Sequence, residues 1–148
     1  MINDDNKGLF FSLDMVLALI PIFILILNVT NANICYTHFY LTKHYFMEAQ
    51  DTSELMTQCT VFDDQTVLEG ISKALSESKD PIQGIESAKK IADPFLKKTL
   101  GNRNYLFVEM NYLKGMEITS RGNFEDAENV GVAVKSNGNY IFKLYVWE

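Results

Sequence analysis

Cysteine and histidine are both scarce, with two of each in 148 residues: Cys35, Cys59, His38 and His44. The two cysteines are too few and too far apart for a structural zinc site. If the folded part lies outside the cell, a bond between Cys35 and Cys59 and a pair of buried free thiols both stay open. His38 and His44 do not share a helix face and read as packing or interfacial residues.

Positive charge is also in short supply, with 13 lysines and arginines against 19 acidic residues and a net charge of −6. Phosphate neutralisation needs clustered cations, so a nucleic-acid partner is excluded. The chain has no glycine-rich phosphate loop, nucleophile elbow, paired-cysteine motif or histidine–glutamate metal motif. Scattered carboxylates make no catalytic pair without geometry, so neither an enzyme nor a cofactor is expected. Glu125, Asp126 and Glu128 lack the ligand spacing of a helical calcium loop and read as a solvated turn, which leaves no metal site.

What the chain does have is one greasy stretch near its start. Between Gly8 and Asn28 lie about nineteen residues that are apolar apart from Ser12 and Asp14, close to the length with which a helix crosses a bilayer. A lone segment in lipid must be helical, because only helices and closed barrels satisfy their own backbone there. Asp14 is the anomaly, since a carboxylate at the bilayer centre costs about 2.5–3.5 kcal/mol. Pro21 falls inside the run, where a missing hydrogen bond and a steric clash predict a kink.

Lys7-Gly8-Leu9-Phe10-Phe11-Ser12-Leu13-Asp14, followed by this run, resembles the class III signal peptide of archaeal type IV pilin-like proteins. The resemblance implies a hydrophilic leader removed by a prepilin peptidase, with Gly8, Leu9 and Phe10 flanking the cut. It implies that Ser12 and Asp14 occupy the small polar and acidic positions used in recognition or assembly. The partners it implies are the bilayer before assembly, like or related pilin subunits, and the peptidase. The localisation it implies is a single-pass membrane protein with its head outside the cytoplasm, then a cell-surface filament. A different class of reading is a single-pass anchored protein with an extracytoplasmic sensing or interaction domain.

Beyond the run, Cys35, Phe39, Phe46 and Ala49 recur at helical spacing, extending the helix to about Gln50 as an amphipathic rod. Thr66-Val67-Leu68-Glu69 is a capping box that opens a helix ending near Ser78. Asp80 and Pro81 start another, which Pro94 disturbs or ends. Lys89, Lys90, Lys97 and Lys98 form a basic cluster, read as a solvated face. After Gly101 the period changes to two, with Leu106, Val108, Met110 and Tyr112 on one face. Asn137-Gly138 between alternating runs predicts a hairpin that sets Ala133 opposite Phe142 and Gly131 opposite Leu144. Small residues facing large ones there leave room for the long helix to pack.

These signals combine into an α+β expectation: a long N-terminal hydrophobic, pilin-like helix, two short helices, and a C-terminal antiparallel sheet of about four strands packed on the helix. The expected organisation is a leader at 1–8, a transmembrane and filament-core helix at 9–50, and an extracytoplasmic head at 51–148.

Overall fold

The computed structural model describes residues 5–62 and 64–148, with side chains described at 15–26, 40–60 and 64–148. Its elements are α1 (Asp5–Gln58), β1 (Thr60–Phe62), β2 (Gln65–Thr66), α2 (Val67–Glu77), α3 (Pro81–Leu100), β3 (Asn104–Glu109), β4 (Met116–Arg121), a 3₁₀ turn (Phe124–Asp126), β5 (Gly131–Asn137) and β6 (Tyr140–Trp147). By its internal contacts the chain divides into two units, Met1–Phe39 and Tyr40–Glu148.

In the first unit the expected fold class needs correcting. Among the described residues no helix is long and apolar enough to cross a membrane, so the long hydrophobic N-terminal helix is not found. α1 is 54 residues long, and the described exposed apolar residues of its part in this unit lie within 15–26. Among the described residues the observed class is α+β, with three α-helices, a 3₁₀ turn, a two-stranded ribbon and a four-stranded antiparallel sheet.

The second unit, the head, takes in the end of α1, which continues to Gln58 rather than stopping near Gln50. Its buried residues, Tyr45, Ala49, Thr52, Ser53 and Met56, recur at three- and four-residue intervals along one face. Phe46, expected on that stripe, is exposed, and Tyr45 takes the inward place. The β1–β2 ribbon then turns the chain into α2. Thr66 caps α2 through the capping box: its hydroxyl accepts from the Glu69 N–H at 3.3 Å, and its own N–H donates to the Glu69 carboxylate at 2.8 Å.

Asp80 caps α3, with its carboxylate accepting from the Ile82 N–H at 3.0 Å and Pro81 in the first turn, where no N–H is missed. α3 runs twenty residues, through Pro94 to Leu100, so it is neither short nor ended by the proline. The Pro94 ring is exposed while Ala88, Ala92, Leu96 and Leu100 are buried, so burial of that stripe outweighs one lost hydrogen bond.

The sheet has the strand order β4-β3-β6-β5, all antiparallel. Tyr105, Phe107 and Glu109 of β3 are buried with Phe142, Leu144 and Val146 of β6, and of Leu106, Val108, Met110 and Tyr112 only Val108 is buried. Apolar and aromatic residues occupy both faces of this strand, and its alternation alone does not choose between them. The β5–β6 hairpin forms one step further along: Asn137 pairs with Tyr140, Ala133 with Leu144 and Gly131 with Val146. Gly138 occupies the first turn position at φ 58°, the place where a two-residue turn with a leading glycine needs positive φ. A two-residue shift preserves the facing, so Gly131 and Ala133 still point inward.

At Gly131 the sheet meets α1. An added Cβ there would stand 2.0 Å from the Tyr45 carbonyl carbon and 2.1 Å from its oxygen, so only a bare Cα admits the helix. Beside this approach, Lys135 of β5 pairs with Glu54 of α1. On the other side of the core, α3 is tied to β3 and β4 through Asp93. Its carboxylate accepts from Tyr105 Oη at 3.0 Å, Thr119 Oγ1 at 3.1 Å and Lys97 Nζ at 2.6 Å. Glu109, fully buried, accepts from the N–H groups of Asn111, Leu113 and Ile141 at 2.6–3.0 Å and pins the loop between β3 and β4 to β6.

Gly131→Ala is expected to lower unfolding free energy by about 2–3 kcal/mol, the upper range for overpacking, because backbone cannot swing aside as a side chain does. Urea denaturation measures it, and a loss under about 0.5 kcal/mol would show that helix and sheet are not pressed together at this point. The Asp93 network generates a pH prediction. Lys97 foremost, with Tyr105 and Thr119, holds the Asp93 carboxyl below its usual range, while burial and the Asp93 bond push the Tyr105 hydroxyl up to about 12. The Asp93 contribution is therefore complete above about pH 4 and lost as pH falls through the depressed value; that of Tyr105 is complete below about pH 10 and fades as pH rises through its raised value. Asp93→Asn is expected to flatten the acid limb of the urea midpoint against pH and only to lessen the alkaline one, since Tyr105 stays buried, and an unchanged acid limb would assign that dependence to other groups.

Candidate functional site

The feature of the first unit that bears on function is the ring of apolar side chains on α1 at residues 15–26. Every residue there is exposed, with Met15 71% and Phe23 65% accessible. Met15, Val16, Leu17, Leu19, Ile20, Ile22 and Phe23 step at 100° per residue and so cover the whole circumference rather than one stripe. A helix apolar all round belongs in an apolar interior, and burying a large aliphatic or aromatic side chain is worth about 1.5–3 kcal/mol.

The residues expected to direct processing and assembly precede this ring. Gly8, Leu9, Phe10, Ser12 and Asp14 have helical backbone within α1, but their side chains lie outside the described residues. Pro21 is inside the helix and exposed. Cys59 is a free, half-buried thiol just past the end of α1, whereas the side chain of Cys35 lies outside the described residues.

The head presents three polar or grooved features. The first is a clamp at the Tyr45 end. Tyr45 Oη donates to Glu148 Oε2 at 2.7 Å, and Arg103 Nη1 meets the same oxygen at 3.0 Å. Arg103 Nε lies 3.3 Å from Glu48 Oε2, and its guanidinium stands 5.3 Å from the centre of the Tyr45 ring. His44 Nδ1 approaches the same Glu48 oxygen at 3.5 Å. Burial and the Glu148 bond raise the Tyr45 hydroxyl, while the Tyr45 bond and the Arg103 charge hold the Glu148 carboxyl below its usual range. Tyr45 is committed as a donor, and Arg103 is engaged by two carboxylates. The arrangement fastens Glu148 to α1.

The second feature is a hollow of about 300 Å³ beside that clamp, whose lining includes Leu41, Tyr45, Asp126, Glu128 and Glu148. The 3₁₀ turn forms its rim, and the Phe124 ring rests edge-on against Tyr145 and Trp147 at 5.1 and 5.3 Å. Among the described residues no group of three or more His, Cys, Asp or Glu is placed to hold a metal ion.

The third is a groove of about 820 Å³ at the other end of the head portion of α1. Its floor includes Leu55, Ile91, Pro94 and Phe95, its rim Lys90 and Lys98, and Cys59 opens onto it. The lysines were visible in the sequence as a basic cluster. Their apolar neighbours were not, because Leu55 and Cys59 reach the groove only after the β1–β2 turn folds α3 back beside the end of α1.

No protein-family model, curated protein or solved structure matches the chain.

Proposed function

We propose that this chain is a structural subunit, major or minor, of an archaeal type IV pilus-like surface filament. The observation that supports it best is the exposed apolar ring at residues 15–23, placed directly after the Lys7-Gly8 to Asp14 motif. Before assembly this segment is accommodated by the bilayer, and the head lies outside the cytoplasm. A prepilin peptidase removes the leader after Gly8 or Leu9. Like segments from neighbouring subunits then replace lipid around residues 15–26, while the unit Tyr40–Glu148 faces solvent. Ser12 and Asp14 act in recognition or register, and Pro21 permits the segment to bend. The function is mechanical and requires no cofactor, and a head with an acidic net charge suits a surface in water.

A second reading, a membrane-anchored protein with an extracytoplasmic sensing domain, is favoured by the groove over Leu55 and Phe95. One experiment separates the two. The chain is co-expressed with an active cognate peptidase, and mass spectrometry reads the N-terminus of the protein in membranes and in sheared surface filaments. A mature chain beginning at Leu9 or Phe10, with cutting or filament incorporation reduced at least about tenfold by Asp14→Asn, is the expected result. A chain that keeps Met1, or that has lost everything up to Ala32, would overturn the proposal.

A further inference from the structure

The basic groove and the acidic 3₁₀ turn have complementary chemistry and lie at opposite ends of the head. The groove joins an apolar floor, Leu55, Ile91 and Phe95, to the ammonium groups of Lys90 and Lys98. Among the described residues neither lysine is paired with a carboxylate; the nearby Asp93 is engaged by Lys97. The 3₁₀ turn joins a half-exposed aromatic ring, Phe124, to the carboxylate of Glu125, and the exposed Glu128 follows two residues beyond its end.

Their placement rules out one head closing on itself. The acidic turn borders Leu41 and Tyr45 and the groove borders Leu55, which lies roughly 15–20 Å further along α1 at its rise per residue. The turn also carries its ring against Tyr145 and Trp147, on the face of β6 opposite to Phe142, Leu144 and Val146, which meet the helices. A patch that fits a different patch at the far end of an identical molecule makes a heterologous contact, and such contacts propagate unless the rotation closes a ring.

We propose that the groove between α1, β1 and α3 receives the acidic turn around Phe124 of a second copy of this chain, so that heads join end to end. Lys90 and Lys98 meet Glu125 and Glu128 of the neighbour, and the apolar floor covers the open face of the Phe124 ring. The contact excludes water from Leu55 and Phe95 and places opposite charges at its rim, where they orient the approach and reject the reverse pairing. It concerns the head alone and goes beyond the filament reading, since end-to-end joining does not depend on removal of the leader.

The test uses the full chain in detergent, which covers residues 15–26 equally in every variant. Weight-average mass is followed across a dilution series by light scattering. The wild-type chain is expected to grow past the dimer with concentration and to weaken with added salt. Lys90→Glu/Lys98→Glu and Glu125→Lys/Glu128→Lys should each self-associate about tenfold or more weakly. Mixed together, they should co-assemble in alternation, because the unchanged groove of one meets the unchanged turn of the other and the two reversed patches also complement each other, and combining all four changes in one chain should likewise restore growth. In parallel, Glu125→Cys in a Cys35→Ser background should form an intermolecular disulfide with Cys59 under mild oxidation. Variants that associate as the wild type does, a wild type that stops at the dimer, or a mixture that fails to pair would each overturn the proposal. A failure here with correct trimming to Leu9 or Phe10 leaves the filament reading standing, and the converse separates them equally well.

Discussion

The head depends on how closely one helix backbone can approach one strand. At Gly131 the sheet comes so near to the Tyr45 peptide that no side chain fits between them. On the helix side, Ala49, Thr52 and Ser53 keep the buried face narrow, and on the sheet side Ala133 follows Gly131. Once this approach is fixed, Lys135 reaches Glu54, and Tyr45 is carried to Glu148, where Arg103 completes the clamp. α3 closes the other flank through Asp93, so the core is bounded by polar ties at both sides and filled between them by Phe107, Phe142, Leu144 and Met56.

Much of the local architecture was legible because it is written in short-range chemistry. The Thr66 and Glu69 capping pair and the Asp80-Pro81 helix start appear where their residues stand. The hairpin at Gly138 was legible as a hairpin, but its register was not. Asn137 and Gly138 are both acceptable turn residues, and cross-strand packing of Leu144 over Ala133 decides between the frames. The inward face of β3 was not legible, since Glu109 turns into the core only because amides from Asn111, Leu113 and Ile141 converge on its carboxyl group. Three donors supplied by two separate segments leave no mark on the local pattern.

The expected long hydrophobic N-terminal helix is not found, since no stretch among the described residues of α1 is long and apolar enough to cross a membrane. Its C-terminal third is instead a structural part of the head, carrying Tyr45, Ala49 and Met56 inward. The groove stayed hidden because its lysines and its apolar floor come from elements more than thirty residues apart in sequence, Leu55 on α1 and Lys90 to Lys98 on α3.

Functionally the two units pose opposite physical demands. Around residues 15–23 the exposed side chains are apolar in every direction and gain by leaving water. The head buries an apolar core and, Glu109 apart, keeps its described charged side chains at least partly exposed. A subunit that assembles through the first unit and shows the second to solvent satisfies both at once. The most direct measurement places a photoreactive phenylalanine analogue at Phe23 and illuminates intact cells. The account predicts adducts between copies of this chain, at multiples of the mass of the chain trimmed to Leu9 or Phe10. Adducts confined to lipid, or to the chain's own head, would contradict it.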